Sequence, residues 1–87
     1  MKLSFTESAW ADYIWLQEHD KELLKRTNLL IKDVLRNPFQ GIGKPEPLKA
    51  NLSGQWSRRI SSEHRLVYSV SQNEITIIAC RFHYLPH

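Results

Sequence analysis

The spacing of apolar residues changes at Asn37-Pro38, and this change limits the folds open to the chain. Before it, apolar residues recur at helical intervals, whereas after Gly54 they are concentrated in three short segments rich in β-branched and aromatic residues. A helix buries one stripe and a sheet buries one face, so in 87 residues the two patterns must share a core. The pattern predicts one α+β domain over residues 1–87, with helices against one face of a mostly antiparallel sheet.

The expected order is an N-terminal strand, two helices and a three-stranded antiparallel meander. Lys2–Phe5 alternates as a short strand does. Thr6 and Asp20 can cap the two helices, because their side-chain oxygens can accept the unpaired N–H groups of a first turn. The second helix should end at Asn37-Pro38. Its apolar stripe consists of Leu23, Thr27, Leu30, Ile31, Val34 and Leu35. The meander strands are expected at about residues 55–60, 65–71 and 75–82.

The positive charge of the chain lies in one segment, which spans most of a long loop at residues 37–54 and the first meander strand. Residues 40–65 hold five Lys or Arg and two Glu, whereas the charges before and after this segment cancel, so the net charge of +3 lies within it. One of its carboxylates, Glu46, stands between Pro45 and Pro47, which restrict the backbone on both sides. Loops this long are usually functional or disordered, and the prolines favour an ordered one.

Glu46, Arg59, Arg65 and His83 are the residues best suited to chemistry. An ionised carboxylate in basic surroundings can take a proton from a hydroxyl, and imidazolium can protonate a leaving alkoxide. A guanidinium can grip a phosphate and stabilise charge that develops in the transition state. Arg58 and Arg59 must point to opposite faces of their strand, and the alternation does not say which face is open. The competing interpretations are an exposed loop glutamate, a frayed terminal histidine and surface arginines paired with glutamates.

The turn between the last two strands decides whether Arg65 and His83 can cooperate. A three-residue turn at residues 72–74 pairs Ser71 with Ile75 and puts Arg65 and His83 on one face. A two-residue turn shifts the pairing by one residue and puts them on opposite faces. Acid–base chemistry between them requires the first register.

No pattern typical of a bound metal or nucleotide is present, so no cofactor and no metal are expected. The four histidines and one cysteine match no zinc spacing, and His19, His64 and His87 are weaker candidates for chemistry than His83. Cys80 alone allows no internal disulfide. No signal peptide and no apolar run long enough to span a bilayer is seen, which favours a cytoplasmic protein without a membrane partner.

Four short motifs of the chain occur together in one known family. They are GKPEPLK at residues 43–49, NLSG.WSRRI at 51–60, EHRLVY at 63–68 and CRFHY at 80–84. The N-terminal residues Trp10, Asp12, Tyr13 and Trp15 also fit. Together the motifs closely resemble the YoeB toxins of bacterial toxin–antitoxin modules, which belong to the RelE-like group of ribosome-dependent mRNA interferases. The resemblance covers essentially residues 2–84.

The resemblance implies a microbial-ribonuclease-like fold and cleavage of mRNA in the ribosomal A site that leaves a cyclic phosphate. It also implies a YefM-type antitoxin as partner and leaves a homodimer possible. Carried over motif by motif, the catalytic residues are Glu46, Arg65 and His83. The RNA-binding residues are Lys49, Arg59 and Tyr84. The chain departs from the family at its end, because YoeB chains commonly stop at the His-Tyr pair, which is followed here by Leu85-Pro86-His87.

The sequence therefore predicts a toxin that cleaves mRNA by acid–base catalysis without a metal. Glu46 would take the proton of a ribose 2′-OH, and His83 would protonate the 5′-oxygen that leaves. The basic residues would hold the phosphate. Tyr84 would stack on a base or position the leaving oxygen, and stacking is favoured because exposed aromatic rings stack well on unpaired bases. The alternative is a non-catalytic module that holds RNA or an acidic protein in the same groove, and a third interpretation is a ribonuclease that needs no ribosome.

Overall fold

The computed structural model describes residues 1–49 and 54–82. In chain order its elements are strand β1 (Lys2–Phe5), helix α1 (Glu7–His19), helix α2 (Lys21–Arg36) and strands β2 (Glu46–Pro47), β3 (Gln55–Arg59), β4 (Arg65–Val70) and β5 (Glu74–Ala79). The α+β class is confirmed, with the N-terminal strand, the two helices and the meander in the predicted order.

The strands of the described residues form one five-stranded sheet in the order β1-β5-β4-β3-β2. The meander β3-β4-β5 is antiparallel, and β1 joins one edge parallel to β5. The other edge is β2, which lies in the segment predicted as a loop and pairs with Ser57 and Trp56 of β3. Pro47 is tolerated there because an edge strand has one side without ladder hydrogen bonds. The addition of β2 fastens Glu46 to the sheet.

Both predicted helix caps are confirmed. The Thr6 hydroxyl accepts a hydrogen bond from the Ala9 N–H at 3.1 Å, and the Asp20 carboxylate accepts one from the Leu23 N–H at 3.1 Å. Each bond satisfies a backbone donor that has no partner within the helix. In the described part of the chain, neither helix is long and apolar enough to cross a membrane.

The two helices pack on the same face of the sheet. α2 buries four residues of its predicted stripe, namely Thr27, Leu30, Ile31 and Val34. They meet sheet residues that are also fully buried, such as Leu66, Tyr68, Ile75 and Ile77. α1 instead buries Ala9 and Leu16, while Trp10 stays half-exposed with its ring edge-on to Phe5. The opposite face of the sheet is left without a helix.

The turn between β4 and β5 differs from the three-residue turn at residues 72–74 that the proposed chemistry required. Val70 pairs with Ile75, and the Ser71 N–H donates to the Glu74 carbonyl at 2.9 Å, so the turn contains two residues. The predicted pairing of Ser71 with Ile75 is therefore wrong. Several turn types can close a hairpin in this region, and the segment 72–74 carries no glycine that would select one.

A β-bulge then changes the register. Tyr68 pairs with Ile77, but its neighbour Val67 pairs with Ala79, so Ile78 is the extra residue. A bulge adds one residue to one strand and shifts every later pair by one position. From Val67 toward the start of β4, the pairing is the one that the predicted three-residue turn would have produced. His83 and Tyr84 lie outside the described residues, so their side of the sheet stays a prediction.

Candidate active site

Glu46, Arg59 and Arg65 share the sheet face opposite the helices. Arg59 lies directly opposite Arg65 in the ladder between β3 and β4, and Glu46 lies directly opposite Ser57. Residues opposite each other share a face, and so do residues two apart on one strand. The structure therefore brings together three of the predicted site residues, and we call the surface that carries Glu46, Arg59 and Arg65 the arginine face.

Arg65 is half-buried and is oriented by the β3–β4 turn. Its Nη1 donates to the Ser61 carbonyl at 2.6 Å and to the His64 carbonyl at 3.1 Å. Burial lowers the pKa of Arg65, Arg59 lowers it further, and Glu46 acts in the opposite direction. The three charges thus act on one another, and because the two carbonyl acceptors are uncharged, they orient the guanidinium without neutralising it.

The arginine face has more positive than negative charge. Like charges directly opposite each other in a sheet are destabilising, and Arg59 and Arg65 are such a pair. Glu46 is a single carboxylate against these two guanidinium groups. An anion with several oxygens, such as a phosphodiester, would relieve the repulsion and accept charge-assisted hydrogen bonds from both arginines.

Arg58 points to the helix side of the sheet and is completely buried. Its Nη1 donates to the Asp33 carboxylate at 2.6 Å, and its Nε donates to the Tyr68 hydroxyl at 3.1 Å. The guanidinium also donates to the carbonyls of Asn37, Gln40 and Ile42. Arg58 was not among the predicted site residues, although its alternation with Trp56 and Ile60 was a signal for a buried position. Arg58 ties the loop after α2 to the sheet.

The loop between α2 and β2 is held by further contacts before it reaches Glu46. The Ile42 N–H donates to the Asp33 carboxylate at 3.0 Å, and the Gly43 carbonyl accepts from the Arg59 N–H at 2.7 Å. Gly43 has φ of +78°, and a Cβ on it would lie 2.7 Å from the Leu30 side chain. A glycine is therefore needed where the loop passes between α2 and β3. These contacts fix the approach to Glu46.

The ion pair between Asp33 and Arg58 should make stability depend on pH in acid. The hydrogen bond from Arg58, followed by that from the Ile42 N–H, lowers the pKa of Asp33 from 3.8 to about 2. A carboxyl with a depressed folded-state pKa contributes stability that is complete above its unfolded-state pKa and is lost as the pH falls through the folded-state pKa. We expect wild-type protein to lose this contribution between about pH 4 and pH 2.

Urea unfolding at several pH values checks this expectation. Asp33→Asn should be less stable than wild type at pH 7, and its stability should fall less steeply in the acid window. Glu18→Gln, which changes an exposed carboxyl of α1, is the matched control and should follow the wild-type curve. An Asp33→Asn curve parallel to wild type below pH 4 would contradict the role of this pair.

The other predicted site residues are placed less fully. Lys49 is exposed and lies beyond the end of β2, so strand pairing assigns it to neither face. His64, a weaker candidate for chemistry, is buried. Within residues 1–49 and 54–82, no group of three His, Cys, Asp or Glu side chains could hold a metal ion.

A depression of about 490 Å³ lies on the exposed side of α2. It is lined by Leu29, Lys32, Asp33, Arg36 and Ile42 and contains no predicted site residue.

The overall fold of the described residues matches that of a solved protein, YafQ. YafQ from Escherichia coli superposes with a TM-score of 0.80 over 94% of this chain and 92% of that chain. The sequence identity is 14%, so this likeness shows the fold alone. It agrees with the α+β fold that the resemblance to YoeB toxins implied.

The family is shown by closer relatives. The model of the YoeB-like toxin of bacterial type II toxin–antitoxin systems matches residues 5–84. Toxin YoeB of Synechocystis sp. is 68% identical over 97% of this chain and 98% of its own length. Toxin YoeB of Escherichia coli K12 is 60% identical over 97% of this chain and 100% of its own length. The chain belongs to the YoeB-like toxin family, which confirms the resemblance seen in its motifs.

Solved structures agree with this assignment. The YoeB/ParE toxin from Agrobacterium tumefaciens superposes with a TM-score of 0.94 and 50% identity, covering 97% of this chain and 100% of that one. YoeB from Staphylococcus aureus has been solved as a dimer, with a TM-score of 0.89 and 48% identity. It has also been solved in a YoeB–YefM complex, with a TM-score of 0.88 and 47% identity. Each of these two covers 97% of this chain and 98% of its own.

Proposed function

We propose that this toxin is a cytoplasmic endoribonuclease. It cleaves mRNA in the A site of the bacterial ribosome and thereby inhibits translation. The observation that supports the proposal most is the arginine face, where Glu46 shares a surface with two directly opposed arginines. Two guanidinium groups suit the scissile phosphate, and a carboxylate beside them suits a proton acceptor.

In the proposed reaction, Glu46 takes the proton from the ribose 2′-OH as this oxygen attacks the adjacent phosphorus. The bond from phosphorus to the 5′-oxygen breaks, and His83 donates a proton to that oxygen. The products are a 2′,3′-cyclic phosphate and a 5′-hydroxyl. Arg65 and Arg59 stabilise the negative charge that grows on the phosphate oxygens. The nucleophile comes from the RNA, so the proposed steps require no metal.

Two further contacts belong to this proposal. Lys49 supplies positive charge beside the path of the RNA, and Tyr84 stacks on an unpaired base. A general acid or base typically contributes about 10²–10⁴-fold to a rate, which is enough for His83 and Glu46 to account for much of the chemistry.

A non-catalytic module that holds RNA or an acidic protein is the alternative. Such a binder gains nothing from a carboxylate on its basic surface, because the carboxylate repels a polyanion. Glu46→Ala should strengthen RNA binding in a pure binder, whereas in a nuclease it should remove cleavage. This single variant therefore separates the two functions.

Mapping the cut ends of mRNA is the direct test of the proposal. Purified protein is incubated with a defined mRNA, with and without ribosomes, and both new ends are analysed. Cuts that need the ribosome and leave a cyclic phosphate support the proposed function. Equal cutting of free mRNA would identify a ribonuclease that needs no ribosome, and absence of cutting in both samples would leave the binder.

A partner antitoxin follows from the same proposal, because an unrestrained mRNA nuclease damages its own host. YoeB from Staphylococcus aureus, 47% identical to this chain, forms a complex with YefM. We expect this toxin to bind a small, acidic, partly disordered YefM-type protein, whose negative charge is attracted to the arginine face. Co-expression should yield a stable complex and restore growth. A YefM-type protein from the same operon that neither binds nor restores growth would contradict this expectation.

A further inference from the structure

The chain is held in place after β5 ends at Ala79. The Cys80 N–H donates to the Asp12 carboxylate of α1 at 3.1 Å. The guanidinium of Arg81 lies over the ring of Trp15, 3.6 Å from its centroid, in a cation–π contact. Both partners are on α1, so this helix anchors the first two residues that leave the sheet.

Phe82 is anchored differently, through its main chain. Its φ is +64°, which is uncommon for a residue other than glycine and persists only when the surroundings enforce it. The Phe82 N–H donates to Nδ1 of His64 at 2.7 Å, and the Phe82 carbonyl accepts from the Arg65 N–H at 3.1 Å. The rings of Phe82 and His64 also pack, with their centroids 5.7 Å apart. Both backbone groups of Phe82 are thus bonded to two consecutive residues, His64 and Arg65, where the β3–β4 turn meets β4.

His64 is itself held firmly. Its exposed fraction is 9%, its N–H donates to the Ser61 hydroxyl at 3.1 Å, and its carbonyl accepts from the Ile60 N–H at 3.0 Å. The same carbonyl accepts from Nη1 of Arg65. Because Nδ1 accepts a hydrogen bond, it carries no proton, and the neutral ring has its proton on Nε2. His64 therefore presents a fixed acceptor to Phe82 while its main chain orients Arg65.

We propose that His64 is a positioning residue of the active site. It fixes the main chain of Phe82, the residue that precedes His83 in the chain, against His64 and Arg65. This inference rests on the proposed function, in which His83 protonates the leaving oxygen. The His64 side chain does not contact RNA in this scheme and acts only through the main chain of Phe82. Small displacements of a reacting group can slow a reaction by about 10²-fold, so such anchoring is sufficient to matter.

The test compares two replacements of similar size. In His64→Asn, the amide Oδ1 is bonded to Cγ like Nδ1 and can accept from the Phe82 N–H, whereas His64→Leu has no acceptor. We expect His64→Leu to lower the single-turnover cleavage rate at saturating ribosome by at least about tenfold, with ribosome affinity changed less than about twofold. His64→Asn should recover most of the rate. Equal rates for the Asn and Leu variants would overturn the proposal.

Amide hydrogen exchange of Phe82 gives a second measurement that does not depend on activity. The amide should exchange slowly in wild type and His64→Asn and at least tenfold faster in His64→Leu. Nitrogen NMR of wild type should show an unprotonated Nδ1 on His64. Rapid exchange of the Phe82 amide in wild type would overturn the proposal without any variant. If wild-type protein cuts no mRNA on ribosomes, the proposed function fails, whereas the exchange result still reports whether His64 holds Phe82.

Discussion

Cleavage should stop at a nucleotide whose ribose 2′-OH is replaced by hydrogen, and Glu46→Gln should slow cleavage of normal mRNA by ~10²-fold or more. The two changes remove the nucleophile and the group that takes its proton. Glutamine has nearly the same size as glutamate but cannot serve as a base at neutral pH. Because Glu46 lies on the edge strand β2 and is exposed, the substitution should leave the fold unchanged.

Ribosome binding should survive both changes, since contacts to phosphate dominate the affinity of proteins for nucleic acids. Glu63→Gln is the matched control, because it removes an exposed carboxylate of the same basic segment away from β2 and should cleave normally. The measurements are single-turnover cleavage on programmed ribosomes and sedimentation with ribosomes. Efficient cutting of the 2′-deoxy substrate, or 3′-hydroxyl ends in place of a cyclic phosphate, would exclude 2′-OH attack and indicate an activated water.

Arg58→Met should destabilise the fold strongly, while Arg59→Met should not. The substitution at position 58 leaves the Asp33 carboxylate and three loop carbonyls without their buried donor. A buried polar group that loses its hydrogen-bond partner costs about 1–3 kcal/mol, and several such groups are affected here. For a chain of this length, each kcal/mol lowers Tm by roughly 4–8 °C. Thermal and urea unfolding measure the loss.

Arg59→Met supplies the comparison, because the two arginines are neighbours on β3 and point to opposite faces. It removes a like charge opposite Arg65, so stability should stay within about 0.5 kcal/mol of wild type. Cleavage should slow by roughly tenfold or more, since a hydrogen bond to a charged group contributes about 1.5–3 kcal/mol. If Arg59→Met unfolded as readily as Arg58→Met, the assignment of the two residues to opposite faces would be wrong.

Local patterns in the sequence were enough for both helices, their caps and four of the five described strands. Thr6 and Asp20 cap the helices as predicted, and α2 buries most of its expected stripe. The strong β character after Gly54 predicted the three strands of the meander. These features depend on interactions within a few residues, and such interactions leave a periodic signal in the chain. The motifs also identified the family, because chains with the same residues at the same spacing share the same contacts.

Contacts between residues distant in the chain decided the turn after β4, the β-bulge and the strand β2. The turn after β4 has two residues, whereas the bulge at Ile78 restores the register of a three-residue turn from Val67 toward the start of β4. No local sequence pattern indicates both the short turn and the bulge. The strand β2 is two residues long and includes Pro47, so it carries no alternation to read. Its pairing with β3 nevertheless places Glu46 on the arginine face.

The two neighbouring arginines of β3 show most clearly which features the sequence leaves undetermined. Alternation required Arg58 and Arg59 to point in opposite directions, and the sequence determined that much by itself. Which of them is buried depended on where α2 packs, since Asp33 of that helix supplies the carboxylate that makes burial of Arg58 favourable. A buried charge needs a partner distant in the chain, and only the tertiary structure brings that partner into contact.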